Sequence, residues 1–100
     1  MAQLIRIWWR DIPMQVIARE GRRNAKRVLD KRFQFAVDKA AMNAGKKAYG
    51  DYIEEMRRAE RECGDDIESE ADAEVARLET AYDKTILHAL IKSGGEGARL

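Results

Sequence analysis

Apolar and polar positions change rhythm several times along this chain. Leu4 to Trp9 read Leu-Ile-Arg-Ile-Trp-Trp, a short run rich in β-branched and aromatic residues. That composition predicts a strand, since the run is too brief for a helix. Pro13 donates no ladder hydrogen bond and ends it, so Arg10-Asp11-Ile12-Pro13 reads as a turn. Met14 to Arg19 then pairs back as a second antiparallel strand, and Gly21 marks the next turn. Residues 22–29 fit two patterns: a helix with Ala25, Val28 and Leu29 on one face, or an extended segment alternating through Arg23, Ala25, Arg27 and Leu29. Asp30 favours the extended reading. It is a good N-cap, and Phe33, Ala36, Val37, Ala40 and Ala44 recur behind it at steps of three and four. A helix of about 15 residues is expected from Asp30 to Gly45, where glycine can take the left-handed cap conformation.

The second half is more polar. Residues 46–51 read as a loop, and 52–58 as a short strand joining the sheet or a short amphipathic helix through Ile53 and Met56. The strand is preferred because a lone hairpin is marginal in water. Gly64 breaks the chain. Asp65 and Asp66 then open a helix with Ile67, Ala71, Val75, Leu78 and Tyr82 on one face, its first turns carrying acids that complement the helix dipole. Thr85 to Lys92 forms a last short helix, stopped by Ser93-Gly94-Gly95. The expectation is an α+β domain over residues 1–95, a small antiparallel sheet of three to four strands with two to three helices on one face. Residues 96–100 are expected as a flexible tail, and the second sheet face has no obvious cover.

One hundred residues support a single core. One cysteine excludes an internal disulfide framework and fits a reducing, cytoplasmic setting; one histidine excludes any site needing two imidazoles. No apolar run is long enough for a spanning helix or a signal peptide, so no membrane partner is expected. The net charge of +1 conceals two opposed halves. Residues 1–50 carry twelve basic and four acidic groups, and residues 51–84 carry five basic and thirteen acidic groups. The halves can neutralise each other, bind different partners, or match a second copy.

Catalytic chemistry is poorly supplied, and the domain is expected not to be an enzyme. Cys63 lies between Glu62 and Gly64-Asp65, where acidic neighbours disfavour a thiolate. His88 sits inside an apolar helix pattern with no nucleophile beside it. Cysteine and histidine together are too few for zinc, and the acidic run from Asp65 to Glu70 lacks calcium-loop spacing. No phosphate loop is present, and no metal or cofactor is expected.

Two clusters suit binding instead. Trp8 and Trp9 are adjacent, so on a strand one faces the core and the other the uncovered side. With Arg10 and Asp11 they form the expected partner-binding group, Arg6 and Arg10 sharing the side of Trp8. Arg19, Arg22, Arg23, Lys26 and Arg27 form the expected anion-binding group, with Arg19, Arg23 and Arg27 projecting to one face. A protein partner or a second copy is the preferred reading. Nucleic acid or a phosphorylated ligand is the alternative, nucleic acid being disfavoured by the near-neutral pI.

Several of these residues also carry a resemblance. Ile7 to Pro13, Gln15 to Ala18 and Gly21-Arg22-Arg23 resemble the opening of a small bacterial virulence factor family. Arg32-Phe33, Ala36-Val37-Asp38, Ala40-Ala41-Met42, Gly45, Arg77-Leu78-Glu79, Tyr82-Asp83 and Leu90-Ile91 continue the likeness. It covers residues 2–95, is strongest from Trp9 to Pro13, and is similar to the C-terminal part of conserved virulence factor C. The resemblance implies no chemistry and no catalytic residues. It implies an accessory role, since relatives accompany corrinoid-dependent methyl-transfer proteins in some bacteria.

Overall fold

A computed structural model describes residues 1–46 and 48–100. The chain runs β1 (Ala2–Trp9), β2 (Ile12–Glu20), β3 (Arg23–Val28), α1 (Lys31–Asn43), α2 (Tyr49–Glu54), β4 (Met56–Cys63), α3 (Ile67–Ala81) and α4 (Lys84–Lys92). The strands form one antiparallel sheet in the order β3-β2-β1-β4, and the class is α+β as expected.

The side of each residue follows from the register. Leu4 pairs with Ala18 and Ala18 with Ala25, all buried in the main core. Arg6 lies on that same side and reaches Glu74 of α3. Ile5, Ile7 and Ile17 therefore face the other way. The helix α3 rests on β2 and β3, α1 packs on β2, and α4 packs on α1. Phe33 of α1 and Trp8 of β1 both meet Tyr82 edge-on, joining the layers.

Three aspartates start the three long helices. Asp30 accepts from the Arg32 N–H, Asp66 from Ser69 and Asp83 from Ile86, satisfying amides that lack an intrahelical partner. After α1 the chain turns at Gly45, with φ of 74°.

Two boundaries differ from the sequence reading. Pro13 does not end a strand: it lies inside β2, and the turn shrinks to Arg10-Asp11. The proline fits because the pairing is irregular there. Ile7 pairs with Gln15 and Trp8 with Pro13, leaving Met14 as an extra residue that bends the strand. The strand expected over 52–58 exists but spans Met56–Cys63, while Tyr52 and Ile53 belong to α2. Both readings of that segment were half right, because a helical turn feeds directly into the edge strand. Of the loop expected over 46–51, Lys47 lies outside the described residues and Tyr49 to Asp51 open α2.

Candidate interaction surface

The hairpin tip expected to bind a partner is occupied by its own chain. Arg10 has φ of 50°, a left-handed conformation that costs a non-glycine residue about 1–2 kcal/mol. Several contacts hold it there. Its amide donates to the Glu55 carbonyl at 2.9 Å, its Nε to the Glu55 carboxylate at 3.1 Å, and its Nη1 to the Gly94 carbonyl at 3.0 Å. The Arg10 guanidinium holds the Glu55 carboxyl below its usual range. Asp11 accepts from the Gly97 amide at 2.8 Å and from Arg99 Nε at 3.0 Å. Residues 96–100, expected as a flexible tail, thus lie against Arg10 and Asp11, and the Leu100 amide donates to Tyr82 Oη.

Both indoles are buried, contrary to the expected split between core and open face. Trp8 is 2% exposed and Trp9 0%. Alternation does send them apart, but Trp9 is the last residue of β1. Tyr52 of α2 and Gly95 after α4 close over it, and its Nε1 donates to the Tyr52 carbonyl at 2.9 Å. Arg10 sits over Trp9, not Trp8; the cation over Trp8 is Arg99, 4.7 Å from the ring centre.

The basic segment is divided by the β2–β3 turn. Arg19 pairs in register with Asn24 and shares the open face with Lys26, while Arg23 and Arg27 face the helices. Arg19, Arg23 and Arg27 therefore do not share one face: the turn at Gly21 shifts the alternation between its two strands. Arg27 Nε donates to Asp72 at 2.8 Å and lies near Glu68, which raise its pKa. Arg23 lies 3.8 Å from Glu20, and Arg22 is exposed in the turn. Basic and acidic halves thus meet within one molecule at Arg27–Asp72, Arg10–Glu55 and Arg6–Glu74.

The uncovered sheet face carries Ile7 and Ile17 half-buried, Val28 largely exposed, and Ile5 buried among its same-face neighbours. Charged residues Arg19, Lys26, Arg58, Glu60 and Glu62 surround them.

A more accessible apolar anchor lies on the helices. Phe35 is 59% exposed on α1, beside a groove of about 270 Å³ between α1 and α4 lined by Ala36, Leu87, His88 and Ile91. Arg32 and Lys84 border the groove, Lys31 borders the opposite flank of Phe35, and Lys39 lies 5.5 Å from its ring. Asp30, the nearby acid, caps α1 and lies 3.4 Å from Arg32. Sequence reasoning passed over Phe35. The available signal was its place off the buried stripe, seven residues before Met42, which is also exposed.

Reactive groups are muted. Burial, reinforced by Glu70, pushes the Cys63 thiol above its usual range, away from the nucleophilic thiolate. His88 is exposed on the groove wall. Among the described residues no cluster of His, Cys, Asp and Glu could hold a metal, and no helix is long and apolar enough to cross a membrane.

A family profile described as Virulence factor matches residues 7–91. Comparison with curated proteins and with solved structures returned no match.

Proposed function

The chain belongs to the Virulence factor family, and from that premise we propose that it is a non-enzymatic, accessory protein-interaction domain that docks its partner in the α1–α4 groove. The carrying observation is Phe35, a large aromatic side chain exposed beside an apolar groove and ringed by Lys31, Arg32, Lys39 and Lys84. Aromatic anchors beside desolvated pockets dominate binding energies, and a cationic rim selects the charge of the partner. The occupant that fits is an amphipathic helix of another protein, apolar on one face and acidic on its flanks. The non-enzymatic reading draws support from the muted Cys63 thiol and from Asp11, whose carboxylate is engaged by Gly97 and Arg99.

The test uses a synthetic amphipathic helix with glutamates flanking its apolar face, and a twin with lysines in their place. Titration into the labelled protein should shift backbone signals around Phe35, Leu87 and Ile91 for the acidic peptide only. Phe35→Asp should weaken binding at least tenfold while the melting temperature stays within a few degrees. Equal binding of both peptides, or none by either, would remove this reading.

A further inference from the structure

Charges on the helix-facing side of the sheet are met within the chain. Glu74 of α3 accepts two hydrogen bonds from Arg77, a fork from Nε and Nη2 at 2.9 Å each, and Arg27 holds Asp72. The open side is different. Its middle row of residues, read across the strands from β3 to β4, is Lys26, Ile17, Ile5 and Glu60. Apolar side chains fill the centre of the row and opposite charges stand at its ends. The row nearer the Gly21 turn repeats that polarity, with Arg19 on β2 and Glu62 on β4. In the row on the other side, Val28 of β3, 71% exposed, lies opposite Arg58 of β4. Beyond it, Tyr52 and Gly95 close over Trp9.

These charges are not spent across the face. Neighbouring strands stand about 4.8 Å apart, so Lys26 and Glu60, at opposite edges, are separated by roughly 14 Å and do not pair in one molecule. Among the described residues Lys26, Arg19 and Glu62 enter no ion pair, and Glu60 meets only Arg58, which holds its Oε1 at 2.9 Å. Arg19 leans toward β3, its Nε donating to Asn24 Oδ1 at 3.0 Å.

A row with opposite ends is its own complement. A half-turn about an axis running along the strands, between β2 and β1, sets β3 of one copy over β4 of another and returns each row onto itself. Lys26 then meets the second copy's Glu60 and Ile17 meets its Ile5, each contact made twice by symmetry. The second copy's Glu62 arrives over Asn24, where Arg19 already leans. Val28 is covered by the aliphatic stem of Arg58. An axis across the strands would instead set Lys26 over Lys26, so charge selects the first arrangement. Packed sheets stand about 10 Å apart with strands within roughly 30° of parallel, a gap and an angle that lysine and glutamate side chains bridge from both sides.

We propose that the open sheet face binds a second copy of this chain, forming a two-fold β-sandwich with Ile5 and Ile17 at its centre and Lys26–Glu60 pairs along its edges. The face spans roughly 20 by 20 Å by strand and residue spacing. That is about 400 Å² of flat area on each copy, at the low end for specific interfaces, so the dimer is weak and reversible and protein concentration reveals it. The face lies opposite the helices, so the proposal does not rest on the α1–α4 groove.

The test is sedimentation equilibrium of the whole chain from micromolar to millimolar concentration, with the isoleucine methyl NMR signals followed in parallel. Self-association is expected within that range, and the Ile5, Ile7 and Ile17 methyls should shift as the dimer fills. Lys26→Glu and Glu60→Lys each set like charges against one another across the interface and should weaken association by about tenfold or more. Both positions are exposed, so both variants should fold. An equimolar mixture of the two variants restores attraction at both symmetry-related contacts and should associate more tightly than either variant alone. Phe35→Asp should leave the dimer intact. The proposal is overturned by a monomer at millimolar concentration, by wild-type association in both charge variants, by a mixture that associates no better than its components, or by loss of the dimer in Phe35→Asp.

Discussion

The Asp11 carboxylate meets the Arg99 guanidinium at 3.0 Å across 88 positions of sequence, tying the first hairpin to the last residues of the chain. Asp11 also holds the Gly97 amide, so one side chain fixes two points of the C-terminal segment. Asp11→Ala should release residues 96–100 and cost about 1–2 kcal/mol, the range for charge-assisted hydrogen bonds at a partly exposed site. Hydrogen exchange is the sharper readout. The Gly97 amide should lose its protection while the amides of β1 and β2 keep theirs. Unchanged protection at Gly97 would refute the link.

Gly95 has φ of 91°, and a Cβ built there would lie 2.7 Å from Trp9 Cζ3. Gly95→Ala therefore combines backbone strain with a clash against a buried ring, and should destabilise by about 2 kcal/mol or more. Gly50 lies inside α2 with nothing near its missing Cβ. Gly50→Ala should stabilise by about 0.5–1 kcal/mol. Urea denaturation of the two variants checks both signs, and a mild effect at Gly95 would contradict the packing of the turn on Trp9.

The two indoles differ in one respect that phenylalanine exposes. Trp9 Nε1 donates to the Tyr52 carbonyl, whereas Trp8 Nε1 has no partner. Trp9→Phe loses volume and a buried hydrogen bond; Trp8→Phe loses volume and an unpaired donor. Trp9→Phe should therefore be the more damaging by about 1 kcal/mol or more. Thermal unfolding of the pair gives the ordering, and a reversed ordering would count against the Tyr52 contact.

Acid sensitivity should centre on Glu74. The Arg77 fork lowers its pKa in the folded chain relative to the unfolded one. A carboxyl with a depressed folded pKa contributes stability that is full above the unfolded value, about 4.3, and lost as pH falls through the lower folded value. Wild type should lose that contribution below about pH 4, whereas Glu74→Gln should lack it throughout. Stability curves of the two proteins should converge as pH falls from 7 to 3. Parallel curves would show that the Arg77–Glu74 pair does not drive the dependence.

The elements with strong local signals were legible from the residues alone. Asp30 and Asp66 cap helices because their short carboxylates reach amides that the backbone cannot satisfy, a fact of the adjacent residues only. The segment after Gly21 was extended as its alternation and the cap at Asp30 indicated. Pro13 misled because a proline at a strand irregularity looks locally like a strand end; only its pairing with Trp8 shows that the ladder passes through. Tyr52 to Arg58 misled for a related reason, since half of it is helix and half strand, and neither half is long enough to show its own period.

The candidate sites were less legible. Alternation correctly placed Trp8 and Trp9 on opposite sides, but burial at a strand end depends on what arrives from elsewhere: Tyr52 from 43 residues away and Gly95 from beyond α4. Periodicity of 2 and 3.6 together with capping chemistry determined the α+β class, because those forces act over a few neighbouring residues. Which arginines are paired, which aromatic ring stays wet and which donors go without an acceptor was decided by tertiary structure alone. Desolvation and ion pairing act through space, between groups whose separation along the chain carries no information about their distance.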